Sequence, residues 1–214
     1  MHFSNPAVAK VFAEYELRRE DEKTKAAALG NAMFTRRDEF LLPVGPDVGW
    51  FLHCLILARR PARILELGTS YGYSTLFLAD AAKQVGAKLI TMELADYKQA
   101  SARAMIEKAG LADAVDFRLG DAVTMIGADP GPFDVILLDI WKELYVPCLA
   151  AFYPKLSDEG IVAADNMVEP IAARPEVRKY RAAVRALTDM QTTLLPIGSG
   201  IELSVKWPAT SKKL

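Results

Sequence analysis

A strand that ends in a glycine turn and continues directly into a helix is the feature that most constrains the fold. Residues 62–74 read ARILELGTSYGYS, and the apolar positions of the ILEL run predict a buried strand. Gly68 and Gly72 lie in this turn. Because glycine has no side chain, a ligand can approach the backbone closely at both positions. Strand carboxyl ends and helix amino ends converge at such turns in parallel α/β sheets, so we expect a ligand crevice here.

Glu66 limits the chemistry of that ligand. We expect its carboxylate at the end of the strand, where a fixed negative charge opposes a phosphate group. The spacing of Gly68 and Gly72 also departs from the G-x-G-x-x-G pattern of dinucleotide-binding folds. The turn therefore favours a nucleoside ligand that carries an amino group over a pyrophosphate.

Short β-rich runs alternate with amphipathic segments after Pro61, which predicts right-handed crossovers and a parallel sheet. The predicted strands are 63–67, 88–92, 115–119, 135–138 and 161–164. The predicted helices are 7–29, 47–60, 74–84, 97–109, 144–153 and 177–187. Residues 192–196 and 200–207 flank Ile197-Gly198-Ser199 and predict a hairpin. The expected fold class is a doubly wound, mostly parallel α/β sheet of seven strands with an antiparallel C-terminal strand.

The composition excludes several classes of partner. The 214 residues are 51% hydrophobic and carry a formal net charge of −1, which disfavours nucleic acid or a membrane surface held by bulk charge. The apolar run 51–58 is too short to span a bilayer, and the first ten residues lack the pattern of a signal peptide. Cys54 and Cys148 are expected to be buried thiols in a reducing compartment. We therefore expect a cytoplasmic protein.

Acidic residues recur where successive predicted strands end: Glu66, Glu93, Asp139 and Asp165, with Asp121 just beyond the third strand. Like charges collected at one sheet edge cost stability unless a cation compensates them. Glu93 ends the second strand, a position suited to binding the two ribose hydroxyls, with a solvated or helix-capping acid as the alternative. Asp121 could accept a hydrogen bond from the exocyclic amine of adenine, or form an Asx-turn.

Two of these acids also indicate a metal site. The strands 135–138 and 161–164 should be neighbours, which would bring together Asp139, Asp165 and the Asn166 amide oxygen. Such an all-oxygen set suits Mg²⁺ or another hard divalent cation, although Asp165 and Asn166 could simply be turn residues.

Lys142 and Trp141 follow Asp139 on the loop that enters the next helix. The Lys142 amine can reach the same crevice and serve as a base, or it can be an ordinary surface lysine. Trp141 can stack on adenine or cover the edge of the sheet.

Together these motifs resemble class I S-adenosylmethionine-dependent O-methyltransferases, most closely the metal-dependent catechol O-methyltransferase group. The resemblance covers residues 44–207. It implies that Ser74 holds the methionine carboxylate of S-adenosylmethionine (SAM), that Lys142 is the catalytic base, and that Mg²⁺ or another hard divalent cation binds Asp139, Asp165 and Asn166. The implied SAM-binding set is Val44, Glu66, Gly68, Tyr71, Gly72, Tyr73, Ser74, Glu93, Leu94, Asp121, Ala122, Asp139 and Trp141.

The implied reaction transfers a methyl group in line from the sulfonium of SAM to a hydroxyl of a small aromatic acceptor of the vicinal-diol type. The alternatives are an NAD(P)-dependent oxidoreductase on a similar sheet and a non-catalytic adenosyl-ligand-binding protein. Two departures from the catechol enzyme concern the acceptor. Ile140 stands where that enzyme has a histidine, and residues 191–195 lack its second hydroxyl-binding acid, with Asp189 available only after a register shift.

A single domain is expected over residues 1–214, with an N-terminal helix and lid segment (1–45) before a catalytic core (46–207). The stretch 30–43 is expected to cover the acceptor pocket through Met33, Phe34 and Phe40. The apolar positions of the N-terminal helix suggest the contact of a homodimer; they are Val8, Val11, Phe12 and Tyr15.

Overall fold

A seven-stranded sheet forms the centre of the protein, and helices cover both of its faces. The computed structural model describes residues 2–207 apart from the Phe34 side chain, so residues 1 and 208–214 of the predicted domain lie outside the described residues. The strands are β1 (Arg63–Leu67), β2 (Lys88–Glu93), β3 (Val115–Leu119), β4 (Phe133–Leu138), β5 (Leu156–Ala164), β6 (Met190–Leu195) and β7 (Ile201–Lys206). They lie in the order β3-β2-β1-β4-β5-β7-β6. Strands β1 to β5 are parallel and β7 is antiparallel to β5 and β6, which confirms the predicted fold class.

The helices follow the predicted order, with one addition. They are α1 (Pro6–Leu29), α2 (Pro46–Arg59), α3 (Tyr73–Val85), α4 (Asp96–Lys108), α5 (Ala122–Ala128), α6 (Tyr145–Phe152) and α7 (Arg174–Arg185). Helix α5 was not predicted from the sequence. It spans 7 residues, too few to show a clear helical period, and it begins because the Asp121 side chain accepts the backbone N–H of Thr124.

Side chains of the central strands alternate between two hydrophobic cores. In β4, Val135 and Leu137 pack on the side of α1 to α4, whereas Ile136 and Leu138 pack on the side of α5 to α7. All four side chains are fully buried. A parallel strand covered on both faces therefore reads as a continuous apolar run in the sequence.

Helix α1 belongs to the core, so its buried apolar positions are not available for the contact predicted from the sequence, and a homodimer stays a prediction. Val8, Val11 and Tyr15 are buried within the chain, and the partly buried Phe12 packs edge-on against Phe77. Their spacing indicated an apolar face correctly, but the sequence could not say that α3 of the same chain covers it.

The cysteine prediction is correct for one residue and wrong for the other. Cys148 is buried in α6, and this burial raises the pKa of its thiol to about 12. Cys54 is exposed, because α2 buries only one of its faces although most of its positions are apolar. Within residues 2–207, no helix is long and apolar enough to cross a membrane.

The strand order reverses between β1 and β4, and the two strands touch closely at their carboxyl ends. The Asp139 N–H donates to the Leu67 carbonyl at 2.9 Å. Gly68 has a φ of 100°, and a Cβ at this position would collide with the Asp139 carbonyl oxygen. Gly72 has a φ of 91°, and a Cβ there would lie 2.9 Å from both the Ala102 Cβ and the Tyr15 hydroxyl. Both glycines thus permit contacts within the protein, besides the ligand approach that the sequence predicted.

Replacing Gly68 with alanine should destabilise the protein by about 3 kcal/mol or more, because a methyl group must displace the end of β4 as well as adopt a positive φ. Gly86→Ala is the matched control, since Gly86 has a φ of 76° and a Cβ there meets no described atom within 4 Å. That control should lose only about 1 kcal/mol. Urea denaturation of both variants measures the difference, and equal losses would contradict the steric role of Gly68.

Candidate active site

The site lies at the carboxyl ends of β1, β4 and β5, where the strand order reverses. The turn after β1 carries the chain into α3, whose amino end faces this crevice. Among the described residues, no side chain caps that end of α3. Its backbone N–H groups are therefore free to bind an anionic group such as a carboxylate.

Glu66 does not face the crevice, contrary to the sequence-based expectation. It is fully buried inside β1, and its carboxylate accepts hydrogen bonds from Ser74, Thr75 and Thr91 at 2.6–2.7 Å. Burial raises the pKa of Glu66 to about 7, although these three hydroxyls act in the opposite direction. The Ser74 hydroxyl hydrogen is used within the protein, so the backbone N–H groups nearby are better placed to hold a ligand carboxylate than that hydroxyl.

Glu93 stands at the end of β2, as predicted, and organises the rim of the site. One carboxylate oxygen accepts the Ser70 N–H at 2.8 Å, and the other accepts the N–H groups of Leu94 and Ala95 at 2.9 and 3.0 Å. These bonds tie the glycine turn to the start of α4 while leaving Glu93 partly exposed. Ribose binding by Glu93 stays a prediction.

The remaining predicted SAM-binding residues divide into exposed and buried groups. Leu94 and Trp141 are 72% and 40% exposed, so their apolar surfaces are available to a planar ring. The buried Tyr73 side chain instead points towards α1 and donates to Glu16 at 2.7 Å. Asp121 caps α5 through Oδ1, and Ala122 is the first residue of that helix. The adenine contact of Asp121 stays a prediction.

Asp139 and Asp165 follow neighbouring strands, because Leu138 of β4 pairs with Ala164 of β5. Asp165 is 2% exposed, and burial followed by the negative charge of Asp139 raises the pKa of Asp165 to about 7. The buried Oδ1 atom of Asp165 has no hydrogen-bond partner among the residues that the structure describes. A buried carboxylate oxygen without a donor is costly unless a ligand or ion completes it.

Asn166 follows directly with a φ of 59°, a left-handed conformation that asparagine tolerates better than most residues. It lies at the same sheet edge as the two carboxyl groups. Over residues 2–207, no cluster of three or more His, Cys, Asp or Glu side chains has the arrangement of a metal site. The predicted set contains only two acids, with an amide as the third donor.

Lys142 reaches the same point from a short 3-10 turn that precedes α6. Its Nζ atom donates to the Ile140 carbonyl at 2.9 Å, to the Tyr145 hydroxyl at 2.6 Å and to Asp139 Oδ1 at 3.3 Å. Tyr145 is fully buried, and burial raises its pKa well above the ordinary value, so it remains a neutral phenol. Tyr145 was not among the site residues predicted from the sequence, although its position three residues after Lys142 at the start of a helix was a usable signal.

The segment between α1 and α2 contacts this edge of the sheet through side chains that were not predicted as site residues. The Arg37 guanidinium lies 4.1 Å from the centre of the Trp141 ring. Asp38 binds Lys98 at 2.8 Å, and its carbonyl accepts the Tyr71 hydroxyl at 2.9 Å. These contacts agree with a covering segment at 30–43, in which Phe40 is buried and Met33 is partly exposed.

Two other predicted positions are also located. Val44 is buried against the core, and its carbonyl lies beside Gly198 in the hairpin turn between β6 and β7. Asp189 precedes β6 at the opposite end of the sheet, where it binds the Tyr153 hydroxyl at 2.5 Å. Asp189 is therefore too far from Asp139 and Asp165 to act with them.

The arrangement matches a known family. A family model described as O-methyltransferase matches residues 22–207. The chain belongs to the O-methyltransferase family. The resemblance to class I SAM-dependent O-methyltransferases noted from the sequence is thereby confirmed.

Relatives and solved structures place this O-methyltransferase among similar enzymes. It is 33% identical to a catechol O-methyltransferase of Niastella koreensis over 168 residues, which are 72% of this chain and 75% of the relative. It is 29% identical to caffeoyl-CoA O-methyltransferase 1 of Eucalyptus globulus over 183 residues, covering 76% and 74% of the two chains. The structure of an O-methyltransferase from Bacillus cereus in complex with SAH superposes with a TM-score of 0.70 at 27% identity, covering 76% of this chain and 81% of the other.

The buried carboxyl of Glu66 should make the stability of the protein depend on pH. Its pKa is higher in the folded protein than in the unfolded chain, so the free energy of unfolding should fall as pH rises from about 4.5 to about 7. Glu66→Gln should remove its share of this fall, about 3 kcal/mol. Urea denaturation at pH 5 and pH 8 measures the effect, and Glu143→Gln, at an exposed position, is the control. An undiminished fall in Glu66→Gln would contradict this assignment.

Proposed function

We propose that this chain is a divalent-metal-dependent O-methyltransferase that transfers the methyl group of SAM to a hydroxyl of a small aromatic vicinal diol. The buried, unpartnered Oδ1 atom of Asp165 is the observation that carries the proposal. It lies beside the Asp139 charge, at the sheet edge that Lys142 also reaches. A scaffold that only bound an adenosyl ligand would have no use for a costly buried carboxylate next to a lysine.

The donor atoms suit a hard divalent cation. Asp139, Asp165 and Asn166 would hold Mg²⁺ or a similar ion through oxygen atoms alone, which is the ligand preference of such ions. When bound, the cation would supply Lewis acidity that makes an acceptor hydroxyl easier to deprotonate. The raised pKa of Asp165 follows from burial beside a like charge, a situation that a bound cation would relieve.

SAM is assigned to the crevice between β1 and β4. The open amino end of α3 offers N–H groups to the methionine carboxylate, and Glu93 stands at the rim where the ribose would lie. The exposed surfaces of Leu94 and Trp141 are suited to the adenine ring. The SAH named in the structure of the Bacillus cereus enzyme supports this ligand class.

Lys142 is proposed as the base. Its neutral amine would take the proton of the acceptor hydroxyl, and the resulting oxygen would attack the methyl carbon as the carbon–sulfur bond breaks. The chain contributes alignment of oxygen, carbon and sulfur, and the segment 30–43 would exclude water above them. The catechol and caffeoyl-CoA enzymes among the relatives support an aromatic vicinal diol as the acceptor.

The activity can be tested with the whole protein and a panel of aromatic diols, each paired with its monohydroxy analogue. Methyl transfer from SAM should occur to the diols, stop on addition of a chelator and return with Mg²⁺. Methylation that is insensitive to chelator would contradict the metal site. Binding of NAD instead of SAM in calorimetry would favour the oxidoreductase alternative.

Asp165→Asn should separate catalysis from stability. Loss of the ligand charge should reduce metal-dependent turnover about 100-fold, with SAM affinity nearly unchanged. The metal-free variant should be about 1–3 kcal/mol more stable than the wild type at pH 8, because a buried charge is removed. Turnover, calorimetric Mn²⁺ affinity and urea denaturation measure the three effects. Asp189→Asn, at the opposite end of the sheet, should leave turnover and Mn²⁺ affinity unchanged.

Lys142→Met should slow the chemical step about 100-fold or more, because methionine keeps the length of the side chain but cannot accept a proton. Acceptor KM and SAM affinity should change little. Single-turnover methyl transfer at saturating SAM isolates this step, and an unchanged single-turnover rate would exclude Lys142 as the base.

A further inference from the structure

The hydroxyl of Tyr145 joins three parts of the site at one buried point. It accepts a hydrogen bond from Lys142 Nζ at 2.6 Å. It also lies 3.0 Å from the Leu138 carbonyl at the end of β4 and 3.1 Å from the Asp165 carbonyl beyond β5. The phenol therefore connects the lysine to the ends of the two strands that carry the proposed metal ligands.

The number of available hydrogens determines the direction of these bonds. In its protonated form Lys142 has three hydrogens, and the structure offers them three acceptors: the Ile140 carbonyl, Asp139 Oδ1 and the Tyr145 hydroxyl. The neutral amine that would act as the base has two hydrogens, enough for the Ile140 carbonyl and the phenol, and a lone pair for the acceptor's proton. The phenol has one hydrogen, so it accepts from Lys142 and donates to one of the two carbonyls. A lysine side chain with four rotatable bonds is thereby held at a single place.

The ring of Tyr145 alone would fill the same space. It packs edge-on against the Tyr180 ring, with the centroids 5.4 Å apart. The buried Tyr180 hydroxyl, in contrast, has no hydrogen-bond partner among residues 2–207. The two neighbouring tyrosines thus differ in whether their hydroxyls form hydrogen bonds, which makes Tyr180 a matched control for Tyr145.

We propose that Tyr145 is a positioning residue, whose hydroxyl holds the Lys142 amine beside Asp139 and Asp165 for proton transfer from the acceptor. This inference rests on the proposed function, in which Lys142 is the base. When the acceptor O–H bond breaks and a new N–H bond forms on Lys142, the phenol oxygen and the Ile140 carbonyl accept hydrogen bonds from the resulting ammonium. The amine is then already in place before the acceptor arrives, which reduces the entropy lost on reaching the transition state.

Tyr145→Phe removes the hydroxyl and keeps the ring that packs on Tyr180. It should lower kcat about 10–100-fold while the acceptor KM and the SAM dissociation constant change little. Tyr180→Phe should leave kcat unchanged. Thermal unfolding of both variants verifies that each remains folded. An unchanged kcat in Tyr145→Phe, or an equal loss of kcat in Tyr180→Phe, would overturn the proposal.

A second measurement needs neither acceptor nor metal. Reductive methylation with formaldehyde, followed by peptide mass spectrometry, reports how readily the Lys142 amine reacts in the metal-free protein. Loss of the phenol should release the amine and speed its labelling severalfold in Tyr145→Phe, relative to the exposed Lys23 in the same molecule. Unchanged labelling would show that the Tyr145 hydroxyl does not restrain the Lys142 amine, and would overturn the proposal.

The two measurements distinguish failure of this inference from failure of the proposed function. Faster Lys142 labelling supports the restraint of the Lys142 amine by Tyr145 even if no aromatic diol is methylated, in which case the proposed acceptor is wrong. Full activity in Lys142→Met would exclude both Lys142 as the base and Tyr145 as its positioning residue. Normal labelling and normal kcat in Tyr145→Phe, with Lys142→Met inactive, would leave the base intact and remove the positioning residue.

Discussion

The close approach of the Gly68 backbone to the Asp139 carbonyl is the constraint on which the rest of the site depends. The Asp139 N–H donates to the Leu67 carbonyl and joins the ends of β1 and β4 where the strand order reverses, and the absence of a side chain at Gly68 leaves room for this contact. The open amino end of α3 lies on one side of this contact and the end of β5 on the other. Any side chain at Gly68 would separate the proposed cofactor crevice from the proposed metal ligand.

Two buried carboxyl groups have similarly raised pKa values, for different reasons. Glu66 is fully satisfied by three hydroxyl groups and supports the turn from within. Asp165 keeps a buried oxygen without a partner in the described part of the chain, beside a second carboxylate. The first cost is explained by folding alone, whereas the second is the cost that the proposed cation would offset. Of these two carboxyl groups, the raised pKa indicates a function only for the one whose buried oxygen lacks a hydrogen-bond partner within residues 2–207.

The sequence predicted the strands well because parallel strands buried on both faces are uninterrupted apolar runs. It also predicted that Asp139 and Asp165 would meet, since they follow strands expected to be neighbours. Its errors concern orientation and coverage. The Glu66 side chain turns into the protein, the apolar face of α1 is covered by the same chain, and the apolar composition of α2 hid the exposure of Cys54. The spacing of apolar residues shows which face of a helix or strand is apolar, but not which part of the protein packs against that face.

The sequence by itself determined the fold class, the glycine turn and the identity of the acids at the sheet edge, because these follow from local patterns and from strand order. Only the tertiary structure decided which of those acids has its hydrogen bonds completed within the protein and which keeps an oxygen without a partner among the described residues. It also brought Tyr145 to Lys142 and Arg37 to Trp141. Such contacts depend on rotamers and on the packing of elements distant in sequence, and the linear order of residues does not encode these pairwise distances directly.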